Sequence, residues 1–195
     1  LRDVDSNYLQ IRSIQPDVNQ PILEFRHQLI VTLGAAKFDQ ASKLNARNIL
    51  AQVSFVDGGK PLPVIHDKWA GPGLCEVGYS RCLYHEKSPI YDDEFIIDLP
   101  INLSSQACIQ INYYHIATQE KEQAMRQFAS ATLPINENDI FIKDGVTSIA
   151  INYPKTPAAK ATPSNCQLIK TQLYSSINSP DDMLSPMFLK VKKIP

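Results

Sequence analysis

Apolar and polar residues alternate with period two along most of this chain, and this alternation constrains the fold more than any other feature of the sequence. Such alternation is typical of β-strands that pack one face against a core. In the stretch "CIQINYYHI" (108–116), one face carries Ile109, Ile111, Tyr113 and His115. The pattern predicts about eight strands, over residues 29–33, 48–57, 78–85, 94–101, 108–116, 128–135, 148–153 and 187–193.

The segments between these strands carry turn residues, which favours an all-β fold. "VDGGKPLP" (56–63) and "KDG" (143–145) are turn sequences, and the 14 prolines are spread among short strands. The best local helix candidate, residues 118–128, is expected to be an excursion between two strands. The sequence therefore predicts an antiparallel β-sandwich with long loops.

The domain organisation is expected to be simple. Residues 1–24 form an N-terminal lead-in segment, and residues 25–195 form one domain, because 195 residues suffice for one substantial core. Residues 155–186 are expected to be loop-rich, since "PKTPAAKATPSN" (154–165) is low in apolar residues. The chain begins with Leu1, and we expect it to be a piece of a longer protein.

The overall charge excludes a global attraction to polyanions. The formal net charge is −1, so no nucleic-acid partner is expected, and attraction to a membrane must come from a local patch. The four cysteines show no CxxC spacing and are expected to be reduced thiols of a cytoplasmic protein. No apolar run approaches the roughly 20 residues that a membrane-spanning helix needs.

Sequence motifs for catalysis and metal binding are missing. The seven glycines form no phosphate loop, there is no GxSxG motif, and the four histidines lack metal-ligand spacing. We interpret His115 as a hydrogen-bonded core residue, and the acidic run Asp92, Asp93, Glu94 as a solvated strand entrance rather than the start of a calcium site. We therefore expect no catalytic residue, no metal and no cofactor.

Six basic residues lie in loops that hairpin counting brings to one end of the sandwich. The loops are 34–48, 86–92 and 117–127, and their cations are Lys37, Lys43, Arg47, Lys87, Lys121 and Arg126. The same loops also carry Asp39, Glu86, Asp92, Glu120 and Glu122, so the rim is of mixed charge. The cations suit a phosphate-rich headgroup, and an ordinary solvated loop is the alternative.

Four motifs, in this order, resemble the first homology region of the DOCK proteins. They are Ala46-Arg47-Asn48 before a strand, the pattern YHxxxPxxxxE from Tyr84 to Glu94, Leu99-Pro100 at a strand end, and Tyr113-Tyr114-His115. The resemblance covers about residues 25–155. It implies a C2-like β-sandwich within a larger cytoplasmic activator of Rho-family GTPases.

The resemblance also implies a function for the basic loops. In that family the module binds phosphoinositides, notably phosphatidylinositol trisphosphate, and recruits the protein to the plasma membrane. The headgroup residues implied here are Lys37, Lys43, Arg47 and Lys87, with Lys121 and Arg126 as additional rim residues. Lipid binding is expected to be independent of calcium.

The resemblance places catalysis elsewhere in the longer protein. Nucleotide exchange belongs to a separate region, so this chain is expected to be non-catalytic and to meet a Rho-family GTPase only through that region. Contacts with other domains of the longer protein are expected. The alternative function is a protein-interaction or scaffolding module that has the same fold and binds no lipid.

Overall fold

The structure is a computed structural model, and it describes residues 27–40, 46–68, 73–117, 124–137, 140–154 and 160–175. These residues form thirteen strands and no helix. The seven long strands are β1 (His27–Lys37), β2 (Ile49–Asp57), β7 (Ile90–Asp98), β8 (Cys108–Ile116), β9 (Met125–Pro134), β12 (Gly145–Ala150) and β13 (Cys166–Ser175). The six short ones are β3 (Lys60–Pro61), β4 (Ile65–His66), β5 (Leu74–Cys75), β6 (Val77–Tyr79), β10 (Asn136–Glu137) and β11 (Ile140–Phe141).

The strands form two main antiparallel sheets that face each other. The first sheet has the order β12-β13-β1-β7-β4-β5, and the second has the order β3-β2-β8-β9 with β6 also paired to β2. Strands β10 and β11 make a separate two-stranded ladder. Alternate residues of both sheets, such as Leu29 and Val31 of β1 and Ile109 and Ile111 of β8, are buried between them. The prediction of an all-β antiparallel sandwich is confirmed. The higher strand count comes from strands that were not predicted, namely β3, β4, β5, β10, β11 and β13.

One predicted strand is mostly a loop. Residues 78–85 were expected to be extended, but β6 ends at Tyr79. The Ser80 hydroxyl accepts a hydrogen bond from the backbone N–H of Ala51 at 2.9 Å, and His85 has a φ of 55°, in the left-handed region. Residues 80–89 therefore form a folded loop. The strand predicted over residues 187–193 lies outside the described residues.

The largest correction concerns the stretch that was expected to be loop-rich, residues 155–186. Residues 166–175 instead form β13, which lies between β12 and β1 in the first sheet. Two of its buried residues, Gln167 and Thr171, are polar, so the apolar alternation is hidden in the sequence. Both find partners: Gln167 Nε2 donates to the carbonyl of Gly34 at 3.2 Å, and Thr171 Oγ1 donates to the carbonyl of Lys143 at 2.8 Å.

The helix candidate over residues 118–128 is also wrong where the structure describes it. Strand β9 begins at Met125 and pairs with β8 across a bulge that leaves Phe128 and Ala129 both buried. Pairing with β8 and burial of these side chains outweigh the local helix preference of the sequence. Residues 118–123 lie outside the described residues.

A bulge near the end of β1 sets the direction of the side chains that follow it. The register of β1 shifts between Leu33 and Ala36, and a Cβ at Gly34 would lie 3.3 Å from the carbonyl oxygen of Leu168. Before the bulge, odd-numbered residues face the core; after it, Ala36 and Phe38 are buried and Lys37 is exposed. The bulge therefore places Lys37 on the outer surface at the end of β1.

Candidate functional site

Four loops meet at one end of the sandwich, which we call the Asn48 end. Of these loops the structure describes residues 38–40, 46–48, 80–89, 117, 124, 151–154 and 160–165. They lie at one end because β1, β8 and β12 finish there while β2, β7, β9 and β13 begin there. The first three overlap the loops 34–48, 86–92 and 117–127 that hairpin counting predicted to lie together. The fourth was not predicted to be there, because β13 was not recognised.

Asn48 joins three of these loops through hydrogen bonds. Its side chain is 5% exposed; Oδ1 accepts from the N–H of His85 at 2.9 Å, and Nδ2 donates to the carbonyl of Ile116 at 2.9 Å. Its own carbonyl accepts from the N–H of Ile116, also at 2.9 Å. This buried amide therefore fixes the loop 80–89 and the end of β8 against the start of β2. Asn48 stood in a recognised motif, but its role as the link between loops was missed.

Arg47 and Arg126 lie on either side of His115. The backbone N–H of Arg47 donates to Nδ1 of His115 at 3.4 Å, and Arg126 is the cross-strand partner of His115 in the β8–β9 ladder. Both arginines are exposed, and His115 is half-buried. The structure thus brings two predicted cations from different loops to the same end of the second sheet.

Lys37 and Lys87 approach the same end from the first sheet. The N–H of Ala36 donates to the carbonyl of Pro89 at 2.8 Å, which holds the loop containing Lys87 beside the end of β1 that carries Lys37. Both lysines are exposed. Lys37 also lines an open groove of about 390 Å³ with residues of β13 and of the turn 161–163. Lys43 and Lys121 lie outside the described residues.

The fourth loop adds a cation that sequence reasoning missed. Lys160 is exposed, and its neighbour Ala161 lines the same groove as Lys37. The loop is held by Tyr153, whose hydroxyl accepts from the N–H of Gln40 at 3.4 Å and donates to Oδ1 of Asn165 at 3.1 Å. Burial raises the pKa of Tyr153, so the phenol stays neutral and keeps its proton for this bond. Recognition of residues 166–175 as a strand is the signal that would have placed Lys160 here.

In the acidic run at the start of β7, one residue bonds to other residues of the protein and two are exposed to solvent. Asp93 accepts from the N–H of Arg81 at 2.9 Å and forms ion pairs with Arg81 at 3.7 Å and Lys68 at 3.8 Å. Asp92 and Glu94 are exposed. Within the described ranges no group of three or more His, Cys, Asp or Glu side chains is placed to hold a metal ion.

Among the described residues at the Asn48 end, exposed cations come from separate loops and outnumber the acidic side chains. Among the residues that the structure describes, Lys37 and Arg47 form no ion pair with an acidic side chain. Asp39 interacts with the Tyr153 hydroxyl, and Glu86 accepts from the N–H of Ser88 at 2.8 Å. Exposed Lys and Arg side chains are donors for phosphate oxygens. In the described parts of the chain no helix is long and apolar enough to span a bilayer.

Comparison with known proteins identifies relatives of the same kind. "Dedicator of cytokinesis protein 8" of Mus musculus is 29% identical over an alignment 195 positions long. This alignment covers 88% of this chain and 9% of that protein. "Dedicator of cytokinesis protein 7" of Mus musculus is 26% identical over 148 residues, which cover 73% of this chain and 7% of that protein. The chain thus spans less than a tenth of the length of these curated relatives.

Solved structures with a similar arrangement include a C2 domain of plant Extended Synaptotagmin 1. It is 8% identical, with a TM-score of 0.48, and the match covers 80% of this chain and 99% of that domain. A family model described as the C2 domain in Dock180 and Zizimin proteins matches residues 22–183. The chain therefore belongs to the family of C2 domains of Dock180 and Zizimin proteins.

Proposed function

We propose that this C2 domain is a membrane-targeting module that binds phosphoinositide headgroups at the Asn48 end, with phosphatidylinositol trisphosphate as the expected ligand. The proposed headgroup residues are Lys37, Arg47 and Lys87 of the described chain together with Lys43, and Arg126 and Lys121 are proposed as additional rim residues. The observation that carries the proposal is the hydrogen bonding of Asn48, which holds the loops bearing Arg47 and Lys87 against each other.

The arrangement suits a polyphosphate better than a single anion. A headgroup with several phosphates needs cations from more than one direction, and here they come from at least three loops joined by hydrogen bonds. Because the net charge of the chain is only −1, this local cluster is the feature that draws the domain to an anionic surface. Such a module would bring a longer cytoplasmic protein to the plasma membrane.

The test is co-sedimentation with phosphatidylcholine vesicles that contain or lack phosphatidylinositol trisphosphate. A cation near an anionic surface contributes about 1 kcal/mol, so Arg47→Ala with Lys87→Ala is expected to weaken binding about thirtyfold. EDTA is expected to leave binding unchanged, because cationic side chains rather than carboxylates carry it.

Lys170→Ala is the matched control, since Lys170 is an exposed cation on β13 away from the Asn48 end. It is expected to bind as the wild type does. Equal binding by the double variant and the control would overturn the site. Equal sedimentation with and without the phosphoinositide would overturn the function.

The role of the longer protein follows from the same proposal. The domain would deliver an exchange factor for Rho-family GTPases to the membrane, while exchange would take place in a separate region of that protein. The 195-residue chain is then expected to have no exchange activity of its own. A fluorescent-nucleotide release assay with Rho-family GTPases would detect it if present.

One observation favours the second candidate, a protein-interaction module. The outer face of the second sheet carries a hydrogen-bonded set of uncharged side chains: Gln52, Tyr79, Gln110, Asn112, Tyr114 and Gln127. Depletion of charge together with exposed tyrosine is typical of the centre of protein interfaces. A domain that ignores all phosphoinositides but whose self-association or partner binding is lost in Tyr79→Ala would support this function instead.

A further inference from the structure

The loop 80–89 carries the most exposed large hydrophobic side chain of the described residues, Tyr84, which is 72% exposed. A single exposed aromatic residue is common on protein surfaces and means little by its presence alone. The position of Tyr84 gives it significance, because it lies at the Asn48 end, next to the residue that bonds Asn48 and three residues before Lys87.

Tyr84 is held in place by its neighbours rather than left free in solvent. Its ring stacks on His85, with ring centroids 4.1 Å apart and 10° between the planes. The N–H of His85 is bonded to Asn48, and Leu83 on the other side forms a β-bridge with Ile49. Both flanking residues are thus tied to the start of β2. A ring whose backbone is already ordered loses little conformational entropy when it binds a surface.

A second apolar residue follows on the other side of the cation. Ile90 is 58% exposed and begins β7, directly after Pro89, whose carbonyl accepts from Ala36. Tyr84 and Ile90 therefore lie on either side of the exposed Lys87 and of the exposed Glu86, whose carboxylate accepts from the N–H of Ser88. A soluble polyanion needs only the cation. A lipid bilayer also offers an apolar layer beneath its phosphates, and tyrosine favours that boundary because its ring is apolar and its hydroxyl is polar.

We propose that Tyr84, with Ile90, enters the interfacial layer of the bilayer while the neighbouring cations bind headgroup phosphates, so that the domain prefers a lipid in a membrane to the same headgroup in solution. The inference rests on the proposed function, since the cations must first bring the loop to a bilayer. It adds a contact that does not depend on charge, and it gives Tyr84 a role distinct from headgroup binding.

The experiment compares the 195-residue chain with Tyr84→Ala on phosphatidylcholine vesicles containing phosphatidylinositol trisphosphate, and on soluble inositol tetrakisphosphate. We expect vesicle affinity to fall about five- to tenfold from partial loss of aromatic burial, with affinity for the soluble headgroup unchanged. The control is Tyr174→Ala: Tyr174 is 53% exposed at the far end of β13 and is expected to affect neither affinity. Thermal unfolding of all variants checks that the loop change leaves the fold intact.

A second variant tests insertion directly. Tyr84→Trp is expected to retain vesicle binding and to show an indole emission that shifts to the blue and is quenched by lipids brominated on their acyl chains. The wild-type spectrum, which contains only Trp69, is subtracted. Unchanged vesicle binding by Tyr84→Ala, or no quenching of the new tryptophan, overturns the inference while the headgroup site stands. Failure of the wild type to bind the vesicles overturns both.

Discussion

At the scale of single residues, the Asn48 side chain is the part of the site on which the loops depend. In Asn48→Ala the N–H of His85 and the carbonyl of Ile116 lose their side-chain partner in a half-buried setting. We expect the free energy of unfolding to fall by about 2 kcal/mol, measured by urea denaturation. Ser148→Ala, at an exposed position of β12, is the control and should change stability by less than about 0.5 kcal/mol. A similarly small change in Asn48→Ala would mean that the loops are held together by other contacts.

Two buried tyrosines allow the energetic effect of a buried hydroxyl to be compared with and without a hydrogen-bond partner. Tyr91 is fully buried and its hydroxyl has no hydrogen-bond partner among the described residues, whereas the hydroxyl of Tyr113 donates to Gln167 Oε1 at 3.0 Å. Burial raises the pKa of both phenols, so both are neutral.

We therefore expect phenylalanine substitutions at these two positions to change the free energy of unfolding in opposite directions. Tyr91→Phe should raise the free energy of unfolding by about 1 kcal/mol, and Tyr113→Phe should lower it by about the same amount, because it leaves a buried amide oxygen unpaired. Urea denaturation of the two variants measures both. Equal losses at both sites would contradict the difference in hydrogen bonding.

At the scale of elements, the contact between the start of β1 and the end of β13 is expected to depend on pH. Nδ1 of His27 lies 2.8 Å from Oγ of Ser175, and burial lowers the pKa of His27 below its ordinary value of 6.5. The unfolded chain then binds a proton more readily than the folded one, so stability is complete above pH 6.5 and is lost as the pH falls through the lowered pKa.

Comparison of wild type with His27→Gln isolates this effect from the other histidines. Denaturation midpoints measured between about pH 7.5 and pH 5 should fall more steeply in the wild type than in the variant. Parallel curves would show that His27 does not contribute to the pH dependence.

How well an element could be predicted depended on which of its residues face the core. Strand β8 was predicted at its observed bounds because every inward position from Ile109 to Tyr113 is apolar. Strand β13 was missed because Gln167 and Thr171 occupy inward positions and satisfy distant backbone groups. Alternation in sequence reports hydrophobicity, and it does not report a polar core residue whose partner lies far away along the chain.

At the scale of the whole molecule, the net charge of −1 means that the proposed attraction to a membrane comes from the exposed cations at one end. Because these cations are exposed, binding is expected to weaken as salt is added. Raising the salt concentration from about 0.1 M to about 0.5 M shortens the screening length to a few ångströms and should weaken vesicle binding about tenfold. The contribution of Tyr84 should persist, so the ratio of wild-type to Tyr84→Ala affinity is expected to stay constant across the series. Binding that ignores salt would mean that the cations do not carry it.

The composition of the site was only partly predictable at this scale. Hairpin order alone was enough to bring the loops of Arg47, Lys87 and Arg126 together, since it depends only on counting strands. The position of Lys160 required β13, and the link between loops required the fold of residues 80–89, whose turn depends on His85 in a left-handed conformation. Sequence therefore predicts which loops are neighbours, but not which side chain joins them.

The bulge at Gly34 and Ala35 has a consequence for comparing relatives of this domain. The bulge reverses which alternate residues of β1 face the core. A one-residue deletion there would turn Phe38 outward and Lys37 into the core. A basic residue in the same alignment column is therefore equivalent to Lys37 only in relatives that retain the bulge. In relatives that lack it, the equivalent cation should be sought one position away, counted from the glycine rather than from the start of the strand.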